Sequence, residues 1–193
     1  ASGFAQGAQN SYDLRAERGL ASFDRAHMLI LNYVYDLPFF RNRGGFIGQT
    51  LGGWELSGVT QFQTGTPLTI GLTGGNLGLA TRPDVVAGQK GDGPQTISQW
   101  FNTAAFAYPA YGYFGNAGNN IVRGPGVQQW DLSLFKTFRI GEHVNFNLRG
   151  EAFNAFNHTN FLGVSTALGN GDFGQVVSAH EARVMQVSAK IEF

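Results

Sequence analysis

Three segments of this chain, each about ten residues long, alternate apolar and polar side chains with a period of two. From Trp54 to Gln63, residues Trp54, Leu56, Gly58, Thr60 and Phe62 fall on one face, and Glu55, Ser57, Val59, Gln61 and Gln63 on the other. From Val144 to Asn154, Val144, Phe146, Leu148, Gly150 and Ala152 stand opposite Asn145, Asn147, Arg149 and Glu151. From Met185 to Phe193, the residues Met185, Val187, Ala189, Ile191 and Phe193 stand opposite Gln186, Ser188, Lys190 and Glu192. A helix would scatter these residues around its circumference, whereas a strand separates them completely. The pattern predicts an all-β protein of long, amphipathic, antiparallel strands.

Two further segments fit less well. His27–Asp36 is aromatic and β-branched, with Leu29, Leu31, Tyr33 and Tyr35 on one side. Met28, Ile30 and Val34 on the other side predict a strand covered on both faces. Trp130–Ile140 alternates too, but Phe135 and Lys136 sit on the wrong faces, which predicts a bulge or register change there. Gly141-Glu142-His143 reads as a tight hairpin, and residues 37–53, with Pro38 and several glycines, as a medium turn. Residues 64–127 and 155–182 are long Gly- and Asn-bearing connections. The first is too long to lack structure, and Ile97–Phe106 and Tyr108–Phe114 are its candidate strands. Residues 1–25 are polar, carry Arg15, Glu17, Arg18 and Asp24, and read as an arm. With no internal repeat or boundary, 1–193 reads as one domain.

Strand length separates a membrane sheet from a soluble one. About ten residues, each rising roughly 3.3 Å and tilted near 45°, cross about 25 Å of hydrocarbon, while soluble strands average nearer 5 or 6 residues. Aromatic residues gather at the segment ends, as at Tyr33, Tyr35, Phe39 and Phe40, at Trp54 and Trp130, and at Phe153, Phe156 and Phe161. Such rings favour the headgroup level of a bilayer. Short turns at one set of strand ends and long loops at the other are the habit of outer-membrane barrels. Charged residues make up only 13% of the chain, against 28 glycines and 17 phenylalanines, which suits a sheet with one apolar and one neutral polar face. No run approaches the ~18 apolar residues of a membrane helix, so a bilayer would be crossed by strands. The sequence opens at Ala1 with neither methionine nor signal segment, as a mature protein or an excised fragment would.

Chemistry is sparse. Cysteine is absent, which removes disulfides and thiolate metal sites. The 13 basic and 13 acidic residues cancel, so no overall charge imbalance draws the chain to nucleic acid or to an anionic membrane surface. His27, His143, His158 and His180 have no metal-ligand spacing, and His180-Glu181 would point to opposite strand faces. Asp24 and His27 read as a polar cluster at a strand start. The stretches at 115–120 and 169–174 lack the carboxylate ladder of a calcium loop and read as turns. Asn157-His158-Thr159 matches a glycosylation acceptor by accident. Arg149, Glu151, Lys190 and Glu192 lie on the polar faces of two strands and are expected to pair across the sheet. No catalytic, metal or cofactor-binding residue is predicted, and the chain is not expected to be an enzyme.

Several runs carry a family resemblance. "GLASFDRAHMLILNYVYDLPF", "LGGWELSGVTQFQTGTPLTI", "WFNTAAF", "RGPGVQQWDLSLFKTFRIGEHVNFNLRGEAFNAFNHTNF" and "VSAKIEF" resemble, in order, the C-terminal portion of TonB-dependent receptor-like outer-membrane proteins of the carboxypeptidase-regulatory-like type, common in Acidobacteria. Phe193, closing the apolar face from Met185, also resembles the signal read by the barrel-assembly machinery. The resemblance implies a plugged barrel of about 22 strands that imports a scarce substrate, of which this chain supplies about five to eight. It transfers no substrate-binding residue. So few strands cannot close a barrel, and their edges need other barrel strands or other copies of the chain. Three readings follow: a barrel segment in the outer membrane, in contact with its lipid; a receptor-derived extracellular filament built by strand pairing; and, most remotely, a soluble carbohydrate-binding β-sandwich.

Overall fold

The computed structural model describes residues 8–74, 82–141 and 143–193. These residues cluster into two compact units. One is drawn from Met28–Gln63, Gln128–Thr159 and Glu181–Phe193, the other from Ala1–His27, Thr64–Val127 and Asn160–His180. Each unit is stitched from alternating stretches of chain, so composition changes at no single point between them.

The first unit is a five-stranded sheet. Its strands are β1 (Met28–Asp36), β2 (Trp54–Gln63), β3 (Val127–Ile140), β4 (Val144–Phe153) and β5 (Val184–Glu192), and their spatial order is their chain order. The fold is thus all-β, with antiparallel pairing of long amphipathic strands. Leu31 faces Thr60 and Tyr35 faces Leu56 between β1 and β2. Val187 faces Gly150 and Ile191 faces Phe146 between β5 and β4. Cross-strand partners share a face, so these registers align the apolar rows of neighbouring strands.

Three sequence expectations for this unit are corrected. β3 pairs with β4 from Leu132–Ala152 to Ile140–Val144 without a register shift, so there is no bulge at Phe135 and Lys136. Lys136 stays on the apolar face because a turn covers it. β1 is not covered on both faces: Met28, Ile30 and Val34 on one side and Leu29, Leu31 and Tyr35 on the other are all exposed, so neither face is packed over. The medium turn at 37–53 contains a seven-residue helix, α1 (Gly45–Leu51). The tight hairpin joins β3 to β4, with Gly141 at φ 71°, and Glu142 lies outside the described residues.

Gly58 shows how closely β1, β2 and β3 approach. A methyl group there would lie 2.8 Å from the Tyr33 hydroxyl and 2.9 Å from the Asp131 carbonyl oxygen. Its absence lets the Tyr33 hydroxyl reach the Thr60 hydroxyl at 3.3 Å.

The second unit packs around Ile70, Trp100, Phe101, Ala105, Phe106 and Val122. Phe101, Phe106 and Phe173 meet edge to face, with centroids 5.2 to 6.3 Å apart, a favoured aromatic geometry. Short strands bind the unit together: Pro67–Leu68 with Val122–Arg123, Asp84–Val85 with Phe106–Ala107, Gly71–Leu72 with Ala167–Leu168, and Phe161–Val164 with Val176–Ala179. These are not the strands expected at Ile97–Phe106 and Tyr108–Phe114. The apolar residues at 100, 101, 105 and 106 come in adjacent pairs, which a strand would split between two faces. Instead Asn102 accepts a hydrogen bond from the Ala104 amide and starts a 3₁₀ turn over Thr103–Ala105, folding both pairs inward. The Trp100 indole donates to the Arg123 carbonyl at 2.8 Å.

The described part of the polar arm is bound into this unit. Arg82, only 3% exposed, makes an ion pair with Glu17 at 2.7 Å. It also donates to the Ala117 carbonyl and the Asn119 side chain. Asp24 pairs with Arg123 at 2.5 Å rather than forming the expected cluster with His27, whose backbone bonds Thr64. The side-chain bonds from Arg82, with those from the Gln9 amide and Asn119, hold the Glu17 carboxyl at about 2 against an ordinary 4.5, outweighing the opposing effect of burial.

A depressed carboxyl pKa stabilises the folded form fully above its ordinary value and progressively loses that contribution as pH falls toward the folded value. Hydrogen-exchange protection of the arm should therefore decline between about pH 4.5 and pH 2. Glu17→Gln should remove that pH step and lower protection by about 3 kcal/mol at neutral pH. An arm whose protection is flat across this window in the unaltered chain would contradict the assignment.

Candidate membrane-facing surface

The register places Leu29, Leu31, Tyr33 and Tyr35 of β1 on one face with Leu56 and Phe62 of β2. Leu132 and Leu134 of β3 share their face with Phe146, Leu148 and Ala152 of β4, and with Met185, Val187, Ala189 and Ile191 of β5. This row was predicted from the alternation, and the structure leaves it bare. Met185 is 70% exposed, Val187 77% and Ile191 62%. Gly150 adds no side chain, and an apolar furrow of about 430 Å³ runs between Leu134, Ala152 and Val187. An apolar surface of this extent is not left in water by a soluble monomer.

Over β2 to β5 the opposite face is polar and internally bonded, while β1 adds the exposed Met28, Ile30 and Val34 to it. Arg149 donates to the Ser133 hydroxyl at 3.0 Å, and Thr137 to Asn147 at 2.7 Å, both between β3 and β4. Asp131 accepts from the Gln129 side chain and from the Asn154 amide. The expected cross-strand ion pairs do not form. Arg149 pairs with Glu151, and Lys190 with Glu192, each at 2.7 Å along its own strand. The register explains this, since Arg149 lies opposite Ser188, Glu151 opposite Gln186, Lys190 opposite Asn147 and Glu192 opposite Asn145. Residues two apart on a strand share a face and can meet there. Gln186 bonds Glu151 across the strands instead.

Beyond β4 the chain turns on two asparagines in left-handed backbone conformation, Asn154 at φ 52° and Asn157 at φ 51°. The Asn154 side chain accepts from the His158 amide and donates to the His158 carbonyl, both at 2.9 Å. Asn157, the residue that matched a glycosylation acceptor, accepts from the Arg183 amide just before β5. Trp130 packs edge to face against Phe62 and Phe156 nearby. Sequence reading placed Asn154 at the end of a strand and Asn157 in a loop, and missed their partners, which lie up to 26 residues away.

Sequence reading also missed what holds Lys136. Its ammonium, 3% exposed as a residue, donates to the Thr50 carbonyl at 3.0 Å and to the Gly52 carbonyl at the end of α1. It lies 4.7 Å from the centre of the Phe138 ring. Trp54 donates to the same Thr50 carbonyl at 3.2 Å. The charge is thus satisfied by carbonyls more than 80 residues away in sequence.

Among the described residues no group of three or more histidines, aspartates or glutamates could hold a metal ion. The stretches at 115–120 and 169–174 serve as ties rather than ion loops. Asn116 accepts from the Val85 amide, Asn120 donates to the Leu20 carbonyl, and Asp172 accepts from Ser165.

One bare apolar face, one bonded polar face and strands of nine to fourteen residues define a sheet of the membrane β-barrel class. A family model described as an outer membrane beta barrel domain matches residues 1–186, and the chain belongs to that family. It is a barrel-type protein of the bacterial outer membrane. No curated protein and no solved structure matches it.

The two faces make opposite predictions for adjacent residues of β5. In the barrel assembled in phospholipid bilayers, Val187→Arg should cost about 2–4 kcal/mol in a guanidinium unfolding titration, because the charge enters hydrocarbon. Ser188→Arg should cost about 0.5 kcal/mol or less. Equal costs for the two would contradict the assignment of faces.

Proposed function

We propose that this chain is a segment of a TonB-dependent receptor-like outer-membrane barrel, with a structural rather than a catalytic part in it. The observation that carries the reading is the five-strand meander itself: its apolar face is continuous, and β1 and β5 each have a strand neighbour on one side only among the described residues. Backbone donors and acceptors along such edges need strand partners within hydrocarbon. Those partners are further strands of a larger barrel, and lipid of the outer membrane covers the apolar face.

The receptor type rests on the ordered runs that resemble such proteins. Several of them fall at structural fixed points: "WFNTAAF" supplies Trp100, Phe101, Ala105 and Phe106 to a core, and "EAFNAFNHTNF" supplies the asparagine turn after β4. The second unit adds to the case. Its segments precede β1, link β2 to β3 and link β4 to β5, so the arm and the two long connections fold into a unit of their own. Long connections that fold into a structured unit suit a receptor that admits a substrate. The substrate is not specified by any residue described above.

A second reading has one observation in its favour. The edge strands β1 and β5 are each nine residues long, so copies of the chain could pair head to tail into a filament. Cell-envelope fractionation with an antibody against the loop unit separates the two. The receptor reading expects a band much larger than 20.8 kDa, in the outer-membrane fraction, whose migration changes on boiling. A species of 20.8 kDa that forms ordered filaments in detergent-free buffer would overturn it in favour of the polymer.

A further inference from the structure

The turn between β1 and β2 has features that spanning the membrane does not require. Residues 37–53 contain Arg41 and Arg43 and no acidic residue. The same segment leaves Phe39, Phe40, Phe46, Ile47 and Leu51 exposed, Phe46 to 80%. Its helix α1 makes no side-chain cap at its start. The apolar side chains of this seven-residue helix are left half-exposed or more, and the arginines have no carboxylate among the described ion pairs.

Lys136 tells where this turn sits. It occupies the row of β3 that holds Leu132, Leu134 and Phe138, and it faces Leu148 of β4, so it belongs to the apolar face. The carbonyls that accept its protons are those of Thr50 and Gly52 at the end of α1. The helix therefore lies over the lipid side of the sheet and not over the polar side. A cleft of about 640 Å³ separates it from the sheet, lined by Arg41, Phe46, Lys136, Phe138, Arg139 and Phe146. The rim of this cleft is cationic and its walls are aromatic. The position is also the short-connection end of the strands, since the β3–β4 hairpin leaves from the same ends. In outer-membrane barrels that end faces the periplasm.

We propose that residues 37–53 form an interfacial foot that docks on the anionic phospholipid headgroups of the periplasmic leaflet. Phe46, Ile47 and Leu51 enter the boundary between headgroups and acyl chains, as the apolar face of an in-plane amphipathic helix does. Arg41 and Arg43 lie among the phosphates, and Lys136, bonded to the helix end, fixes the foot to the barrel wall. Charge complementarity commits the site to anionic lipid: basic groups near an anionic surface attract it, and two arginines together shift the docked population by roughly 30-fold. The inference rests on the family's barrel spanning the membrane, and the test separates the two.

The chain has no cysteine, so single cysteines can be introduced and labelled with an environment-sensitive fluorophore. Ile47→Cys reports the foot and Val187→Cys reports the lipid face of β5. The barrel is reconstituted in vesicles of phosphatidylethanolamine with phosphatidylglycerol, or of phosphatidylcholine alone, each with headgroup-level spin-labelled lipid as quencher. The expected result is a blue-shifted, quenched label at position 47 in the anionic vesicles. That signal should weaken in phosphatidylcholine and on the double substitution Arg41→Gln, Arg43→Gln, while position 187 stays lipid-embedded throughout. A label at 47 that remains in water while 187 is embedded overturns the foot and leaves the barrel intact. Equal signals at 47 in both lipids, unmoved by the arginine substitutions, also overturn it. A label at 187 in water removes the barrel reading, and the foot with it, whatever the label at 47 reports.

Discussion

Hydrocarbon offers a peptide group nothing to bond with, and the rest of this structure depends on that constraint. Strands β1 to β5, nine to fourteen residues long, answer it by pairing each with its neighbour in chain order. Once pairing has fixed the registers, the period-two pattern is no longer a property of single strands. It becomes a property of the sheet, with Leu31, Leu132, Leu148 and Val187 on one side and Gln61, Ser133, Arg149 and Gln186 on the other. A slip of one residue at any pair would carry a whole row to the wrong side. Two-sided patterning and membrane residence are therefore the same requirement seen at two scales.

The exception within the apolar row follows the same rule. A lysine at position 136 would be costly toward lipid if its ammonium were unpartnered. Carbonyls at the end of a helix are free to accept because no further turn uses them, and they carry partial negative charge. The short helix of the first turn brings two such groups to Lys136. The loop unit solves a related problem in another way. Arg82 is buried with a carboxylate, a backbone carbonyl and an asparagine oxygen around its guanidinium, which is the bonding a buried cation requires.

What the sequence made legible were the features set by neighbours in the chain. β2 ran over Trp54–Gln63 as the alternation indicated, and the other long strands fell within a few residues of their expected ends. The apolar row from Met185 to Ile191 was legible for the same reason. What it concealed depends on partners far along the chain. Lys136 read as a defect of alternation because its acceptors are 84 and 86 residues away. Phe101 and Phe106 read as strand residues because the pattern could not show that Asn102 would turn the backbone between them. Arg149 and Glu151 were expected to reach across the sheet, and only the register reveals that neutral residues face them there.

The interleaving of the two units has a consequence for the order in which structure is acquired. β3 and β4 are joined by three residues, so their pairing closes a very small loop and is available as soon as both have been made. The loop unit has no such early start. Glu17 must wait for Arg82, Asp24 for Arg123, and Trp100 for Phe161. Its last contributions, Phe173 and Val176, are synthesised only after β4 is complete. The loop unit is thus the slow part of this chain and the hairpin the fast part. Anything that holds nascent strands β1 and β2 before assembly must also hold an arm whose partners have not yet been made.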